Sequence, residues 1–314
     1  MKIPLFALIA SALFVVLSLA PSGFAQTAAV RMASLQNDLH HLPLLVAVDK
    51  GFFQDAGVEV QQSAVFRAGP ELMTAMSAGS IDMGYVGEAP ATIAFAQGAV
   101  PVRLVAQVNT GGSALVVAAD SPAKGVADLK GSRIAVPGNG TVQDFLLRHA
   151  LMQAGLQATD IRIIALPAPE MATALKKGQI DGFLVWQPFP ARAVVHKEGR
   201  ILVDSADLWP DHPCCALVAR QESIANGSAA KVVRAHVRAV NFIKENPEAA
   251  VQIAIRHTGM DEATVREALA HVSYATEPIV EGEEEYVKFL HNIGYIKQKD
   301  SKRFTDEFIQ SLVP

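Results

Sequence analysis

A chain of 314 residues, half of them hydrophobic, is long enough to bury the cores of two ordinary α/β lobes. Its formal net charge is −4, and it carries neither a basic run nor aromatic residues interleaved with basic ones, which excludes nucleic acid as a partner. Residues 1–25 form a separate object. Lys2 supplies a positive end, residues 5–19 an apolar stretch, and Gly23-Phe24-Ala25 a small-x-small cleavage site. They read as a secretory signal peptide cut after Ala25, with an apolar part too short for a membrane span. No cysteine follows that stretch, so no lipid anchor is expected. A secreted protein without an anchor points to the periplasm.

In the mature chain, residues 30–35 read as a strand, 42–53 as a helix broken near Gly51, and Val58-Glu59-Val60 as the start of the next strand. Residues 70–78 form a helix with proline in its first turn, ending at Gly79. Residues 82–86 are a strand, and Pro90 stands at a helix start. Residues 102–108 and 114–118 are strands around the turn Thr110-Gly111-Gly112. The scheme then repeats. Residues 133–136 are a strand, and Thr141 with Asp144 forms a capping box that opens a helix stopping near Gly155. Residues 161–166 are a strand, 170–177 a helix and 182–185 a strand. Residues 216–219 are a strand that returns to the first lobe, and from Ala229 onward the pattern is helical. The expected division is residues 26–113 for lobe 1, 114–214 for lobe 2, and 215–314 for the rest of lobe 1. Alternating strands and helices imply parallel-rich sheets covered on both faces.

An internal repeat supports two similar lobes. TAMSAGSIDMGYV, from Thr74, and TALKKGQIDGFLV, from Thr173, lie ninety-nine residues apart and share Thr-Ala, Gly, Ile-Asp and Val at matching places. Gly79 and Gly178 fall where a helix ends and positive φ is wanted. The separation is too long for a solenoid. Two such lobes leave a cleft at strand ends and helix starts, where open α/β sheets take ligands. The corners Gly87-Glu88-Ala89-Pro90 and Trp186-Gln187-Pro188 are equivalent in the repeat, so they face each other there, joined by Gly140-Thr141-Val142.

These features resemble the periplasmic substrate-binding proteins of ABC importers, in the nitrate/sulfonate/taurine family that includes thiamine-precursor binders. The resemblance runs through His41-Leu42-Pro43-Leu44-Leu45-Val46-Ala47, Lys50-Gly51-Phe52-Phe53, Gly57-Val58-Glu59-Val60 and Gly79-Ser80-Ile81-Asp82. It continues through Asp120-Ser121-Pro122, Asp128-Leu129-Lys130-Gly131, Ile134-Ala135-Val136 and Gly178-Gln179-Ile180-Asp181-Gly182, nearly the whole mature chain. It implies a two-lobed type II α/β binding-protein fold that closes on a small-molecule ligand and serves an ABC permease. No GxxxxGK[ST] motif occurs, so the ATPase would be a separate subunit. A monomer without a cofactor or catalytic residue is expected.

The expected ligand-binding residues are His40, His41, Glu88, Ala89, Asn109, Asn139, Thr141, Trp186, Gln187, His212, Cys214 and Cys215. Trp186 could stack on a planar ring. Glu88, expected to stay ionised at a helix start, would accept N–H donors and repel a sulfonate or nitrate. A nitrogenous heterocycle therefore stands beside those anions as the ligand. Glu281 to Glu285 read as a solvated helix face. Cys214 and Cys215 are adjacent, and consecutive Cα atoms about 3.8 Å apart exclude a normal disulfide. Two alternatives stand. The first is a metal or metal-chelate binder using His40, His41, Glu88, His212 and the cysteines. The second is an enzyme of thiamine-pyrimidine synthesis, for which only His212-Pro213-Cys214-Cys215 echoes the cysteine-rich loop that the resemblance implies.

Overall fold

The computed structural model describes residues 29–314. The expected signal peptide lies outside them. Four strands, β1 (Val30–Leu35), β2 (Val60–Phe66), β3 (Met83–Gly87) and β4 (Val102–Gly111), begin one sheet. The chain then crosses to a second sheet made of β5 (Ser113–Ala118), β6 (Arg133–Val136), β7 (Arg162–Ala165), β8 (Gly182–Trp186) and β9 (Gly199–Asp204). It returns as β10 (Pro213–Arg220) and adds β11 (Val272–Tyr274) at the edge of the first sheet. The orders are β11-β4-β10-β3-β1-β2 and β7-β6-β8-β5-β9. In the first sheet β10 runs against β3 and β4, and β4 also runs against β11; in the second β5 runs against β8 and β9. The pairs β1–β2, β1–β3, β6–β7 and β6–β8 are parallel. This is the expected two-lobed α/β architecture. The crossings fall a residue or two earlier than the sequence placed them, with Ser113 already in the second sheet and Pro213 already in the first.

The repeat has a physical basis at both copies. Gly79 and Gly178 end their helices at φ +75° and +62°. Asp82 then accepts the Arg31 backbone N–H at 2.8 Å and the Arg31 guanidinium at 2.5 Å. Asp181 does the same for Arg133, at 2.7 and 2.8 Å. Each aspartate thus pins the strand it precedes to that strand's parallel neighbour, β3 to β1 and β8 to β6. The strands β3 and β8 that follow are buried along their whole length, as their apolar runs require.

Several features depart from the sequence reading. Thr110-Gly111-Gly112 is no hairpin turn: β4 runs on to Gly111, and Gly112, at φ +84°, carries the chain from one sheet to the other. The strands β9 and β11 were not anticipated, whereas the helix Phe189–Val195 begins at the expected Trp186-Gln187-Pro188 helix start. Glu283 is no solvated residue either. In the helix Val280–Asn292 it lies on the inward face with Tyr286, Val287 and Leu290, and it is completely buried. No helix among the described residues is long and apolar enough to cross a membrane.

Candidate functional site

Both repeat corners and the third helix start meet at one place between the lobes. Gly87, Pro90, Thr141, Gln143, Trp186 and Cys215 line a cavity of about 10 Å³, together with Asp38 from the loop after β1. That volume is at the lower limit for a single water, so the lobes are closed on each other. Thr141 caps the helix Val142–Gln153, accepting the Asp144 N–H at 3.2 Å, and donates to Gly138 O at 2.7 Å. The helices Glu88–Ala96 and Val142–Gln153 both start at this cavity, and Pro70, in the first turn of the helix Gly69–Ser77, follows the Gly69 that lines it. The Trp186 ring is buried, and its Nε1–H has no partner among the described residues.

Beneath the cavity lies a cluster that the sequence suggested only in part. Asp38 caps the 3-10 turn Leu39–His41, accepting the His40 backbone N–H at 2.9 Å. His40 Nε2 lies 2.7 Å from Gly112 O, a carbonyl that can only accept, so this nitrogen carries the proton. The other nitrogen, Nδ1, stands 3.5 Å from Cys214 Sγ, 3.5 Å from Cys215 Sγ and 3.5 Å from Asp38 Oδ1. Neighbours in a strand normally point to opposite faces. Here the pairing of β10 with β4 slips between Pro213 and Cys215 and again between Cys215 and Ala216, and both sulfurs reach the same imidazole. The two cysteines are free, with sulfurs 4.0 Å apart.

The electrostatics follow from burial. Burial would lower the His40 pKa, but Asp38 and Cys214 raise it to about 9. Burial would raise the Cys214 thiol, but hydrogen bonding from Cys215 and the charge of His40 hold it well below the usual thiol range. Cys215 is pushed up by burial and by Cys214. Asp38 is raised by burial to about 7 against the pull of His40. His41 is different. Its Nδ1 accepts the Leu35 N–H at 3.2 Å, and burial lowers its pKa well below the ordinary value.

Glu88 is a correction. It starts its helix as expected but turns away from the cavity into lobe 1, where it is completely buried and accepts the Gln107 Nε2–H at 2.9 Å. Burial raises it to about 7, and the neighbouring buried carboxyl is Glu283, itself raised well above the usual range by burial and by Glu88. Desolvation outweighs the helix dipole and sets the Glu88 pKa. The carboxyl that meets the cavity is Asp38.

The remaining expected residues divide. Gln187 joins the crossing: its N–H donates to Gly112 O at 2.9 Å, and its carbonyl accepts the Leu39 N–H at 3.1 Å. Asn109 lies on β4 opposite Cys215 and donates to Gly111 O at 3.1 Å, and Ala89 is buried in its helix. His212 donates to Pro213 O at 3.2 Å and stacks on Trp209 at 5.7 Å. Asn139 does not join them. It is exposed and lines a separate groove of about 550 Å³ with Pro70, Ile93 and Tyr295. Asp38, Gly112, Gln107, Gln143 and Glu283 were missed. Asp38 carried a readable signal, since an aspartate immediately before a helix-like turn is a capping position. Gln107 and Gly112 are brought in by the strands and the crossing, and Gln143 and Glu283 by helices packed from distant parts of the chain.

A sequence profile of the NMT1-like family matches residues 25–256. A Brucella abortus (strain 2308) protein named as a putative binding protein is 32% identical over 240 residues, covering 75% of this chain and 73% of the relative. Among solved structures, the periplasmic aliphatic sulphonate binding protein SsuA from Escherichia coli superposes with a TM-score of 0.76 at 23% identity, covering 90% of this chain and 92% of that one. The periplasmic nitrate-binding protein NrtA from Synechocystis PCC 6803 gives a TM-score of 0.79 at 20% identity, covering 90% and 86%.

Proposed function

The chain belongs to the NMT1-like family, and from that premise we propose that it is the periplasmic solute-binding component of an ABC-type importer. It captures a small organic solute between its lobes and hands it to a membrane permease driven by a separate ATPase. The observation that carries this reading is the convergence of both repeat corners and the Thr141 helix start on one closed cavity. Binding, not catalysis, is the role that such a closing cleft supports, and the relatives named above are binding proteins.

The lining also bears on the ligand. Among the described residues no lysine or arginine lines the inner cavity, whereas the Asp38 carboxyl does. The Trp186 indole offers a ring face and an unpaired N–H. A carboxyl and an aromatic face suit a planar nitrogenous ring, which donates N–H groups and stacks, better than they suit a simple oxyanion. Native mass spectrometry of the freshly isolated protein, followed by calorimetry with the released compound, tests this. At ~100 times the dissociation constant, a ligand of the folded state should add about 2.7 kcal/mol of stability. Trp186→Ala should cost well over ~1 kcal/mol of binding with the fold intact, as buried aromatic anchors do. Tight binding of an alkanesulfonate or nitrate, with no response to the Trp186 change, would overturn the ligand assignment.

A further inference from the structure

We propose that His40 Nδ1, Cys214 Sγ and Cys215 Sγ form a zinc site on the floor of the ligand cleft. The geometry is that of a ligand set before any ion is considered. Zinc bonds of ≈ 2.3 Å to sulfur and ≈ 2.0–2.1 Å to nitrogen, at tetrahedral angles, place two sulfurs about 3.8 Å apart and each sulfur about 3.6 Å from the nitrogen. The chain holds these atoms at 4.0, 3.5 and 3.5 Å. All three lie within 4.8 Å of one another and are buried.

Two features of the fold turn this proximity into a site. The double slip of β10 against β4 brings adjacent cysteines to one side, a local arrangement that a regular strand cannot offer. Gly112 O accepts the Nε2–H and so fixes the ring with Nδ1 facing the sulfurs, where a bound ion would displace the Nδ1 proton. Metal-bound histidines are held in this way by an outer carbonyl. A Cβ on Gly112 would run into His40 Nε2, so the residue at the crossing is also fitted to this ring.

The other candidates fall away on their own hydrogen bonds. His41 spends its Nδ1 lone pair on the Leu35 N–H, and its remaining nitrogen therefore carries the proton. His212 turns its Nδ1 to Pro213 O and stacks on Trp209. Asp38 Oδ1 lies 3.5 Å from His40 Nδ1, beside the three ligand atoms. Imidazole with two thiolates selects thiophilic ions. Zinc leaves this three-ligand set neutral, whereas a monovalent copper ion would leave a buried negative charge, which is costly. Because Cys215 also lines the cleft cavity, opening of the lobes gives an ion its way in. The site depends on lobe 1 and the crossing alone, so it stands apart from the importer assignment.

The test is metal binding by the reduced protein. Wild type should retain one zinc per chain in native mass spectrometry and hold it against a chromophoric chelator. The cobalt(II) form should show a thiolate-to-metal charge-transfer band and the visible spectrum of tetrahedral cobalt. Cys214→Ser and Cys215→Ser should each weaken zinc by at least about 100-fold, more than outer partners usually cost. His196→Ala, at an exposed histidine paired with Asp261, should bind as wild type does. If the serine variants do not fold, the cobalt spectrum of wild type decides alone. Zinc retention unchanged in folded serine variants, or cobalt without the thiolate band, would overturn the proposal.

Discussion

Two carboxyl groups share the buried space between the helices Glu88–Ala96 and Val280–Asn292. Facing the Glu88 carboxyl are Gln107 from β4, Glu283 from the other helix, and Cys214 at longer range. Thr92 Oγ1 stands 2.9 Å from Glu283 Oε1. The folded state holds Glu88 at about 7 against an ordinary 4.5, and Glu283 well above its own ordinary value, because both are desolvated beside each other. Above about 4.5 the folded protein binds more protons than the unfolded one, so the pair's contribution is complete below about 4.5; the Glu88 part is lost as pH rises through about 7 and the Glu283 part at higher pH. Each such proton is worth about 1.4 kcal/mol per pH unit. Glu283→Gln keeps a side chain of the same shape and removes one titrating group. Its stability should fall less steeply with pH than that of wild type, by up to that slope, in denaturant titrations spanning this range. Parallel curves would mean that the pair does not share a proton. The sequence concealed the pair because Glu283 sits in an acidic run that reads as solvated. The inward spacing from Glu283 to Tyr286, Val287 and Leu290 was the available signal.

At the scale of elements, the repeat was the most legible feature, and it was legible because it recurs. Its aspartates could be marked as strand starts, but their arginine partners lie 51 and 48 residues away and share no pattern with them. The same limit hid β11, three residues that earn strand geometry only by lying against the end of β4. Both clamps should matter for stability, and unequally. Asp82→Ala and Asp181→Ala each remove the acceptor of an arginine backbone N–H, a loss of ~1–3 kcal/mol when the group stays buried. The Asp82 side chain is 23% exposed and the Asp181 side chain 42%, so solvent should repair the second loss better. Urea unfolding should place the Asp82 variant below the Asp181 variant, with both below wild type and with the slope unchanged. Equal midpoints would remove this account of why the motif is written twice.

At the scale of the whole molecule, the lobes are held shut by contacts that no single lobe contains. Gly112 O receives the Gln187 N–H from lobe 2 and the His40 Nε2–H from lobe 1, so the crossing itself is tied to the site. On the far side, Phe145 of lobe 2 packs on Tyr286 and Phe289 of lobe 1, with ring centroids 4.3 and 4.7 Å apart. Tyr295 closes the mouth by donating its hydroxyl to Asp144 at 2.7 Å, across 151 residues of chain. Asp144 already accepts from Gly140 N and from Arg148, which fixes it for that contact. The hydroxyl bond exists only when the lobes meet, so it stabilises the closed state alone. Tyr295→Phe keeps the ring in the mouth groove and deletes only this bond, which is worth ~0.5–1.5 kcal/mol. Ligand affinity follows the population of the competent state, so it should fall by roughly 2- to 10-fold while the melting temperature without ligand barely moves. Small-angle scattering should show a larger radius for the ligand-free variant than for wild type, with the two converging at saturating ligand. An unchanged radius together with unchanged affinity would show that closure is set by the Phe145 packing and the Gly112 crossing, with Tyr295 a bystander at the rim.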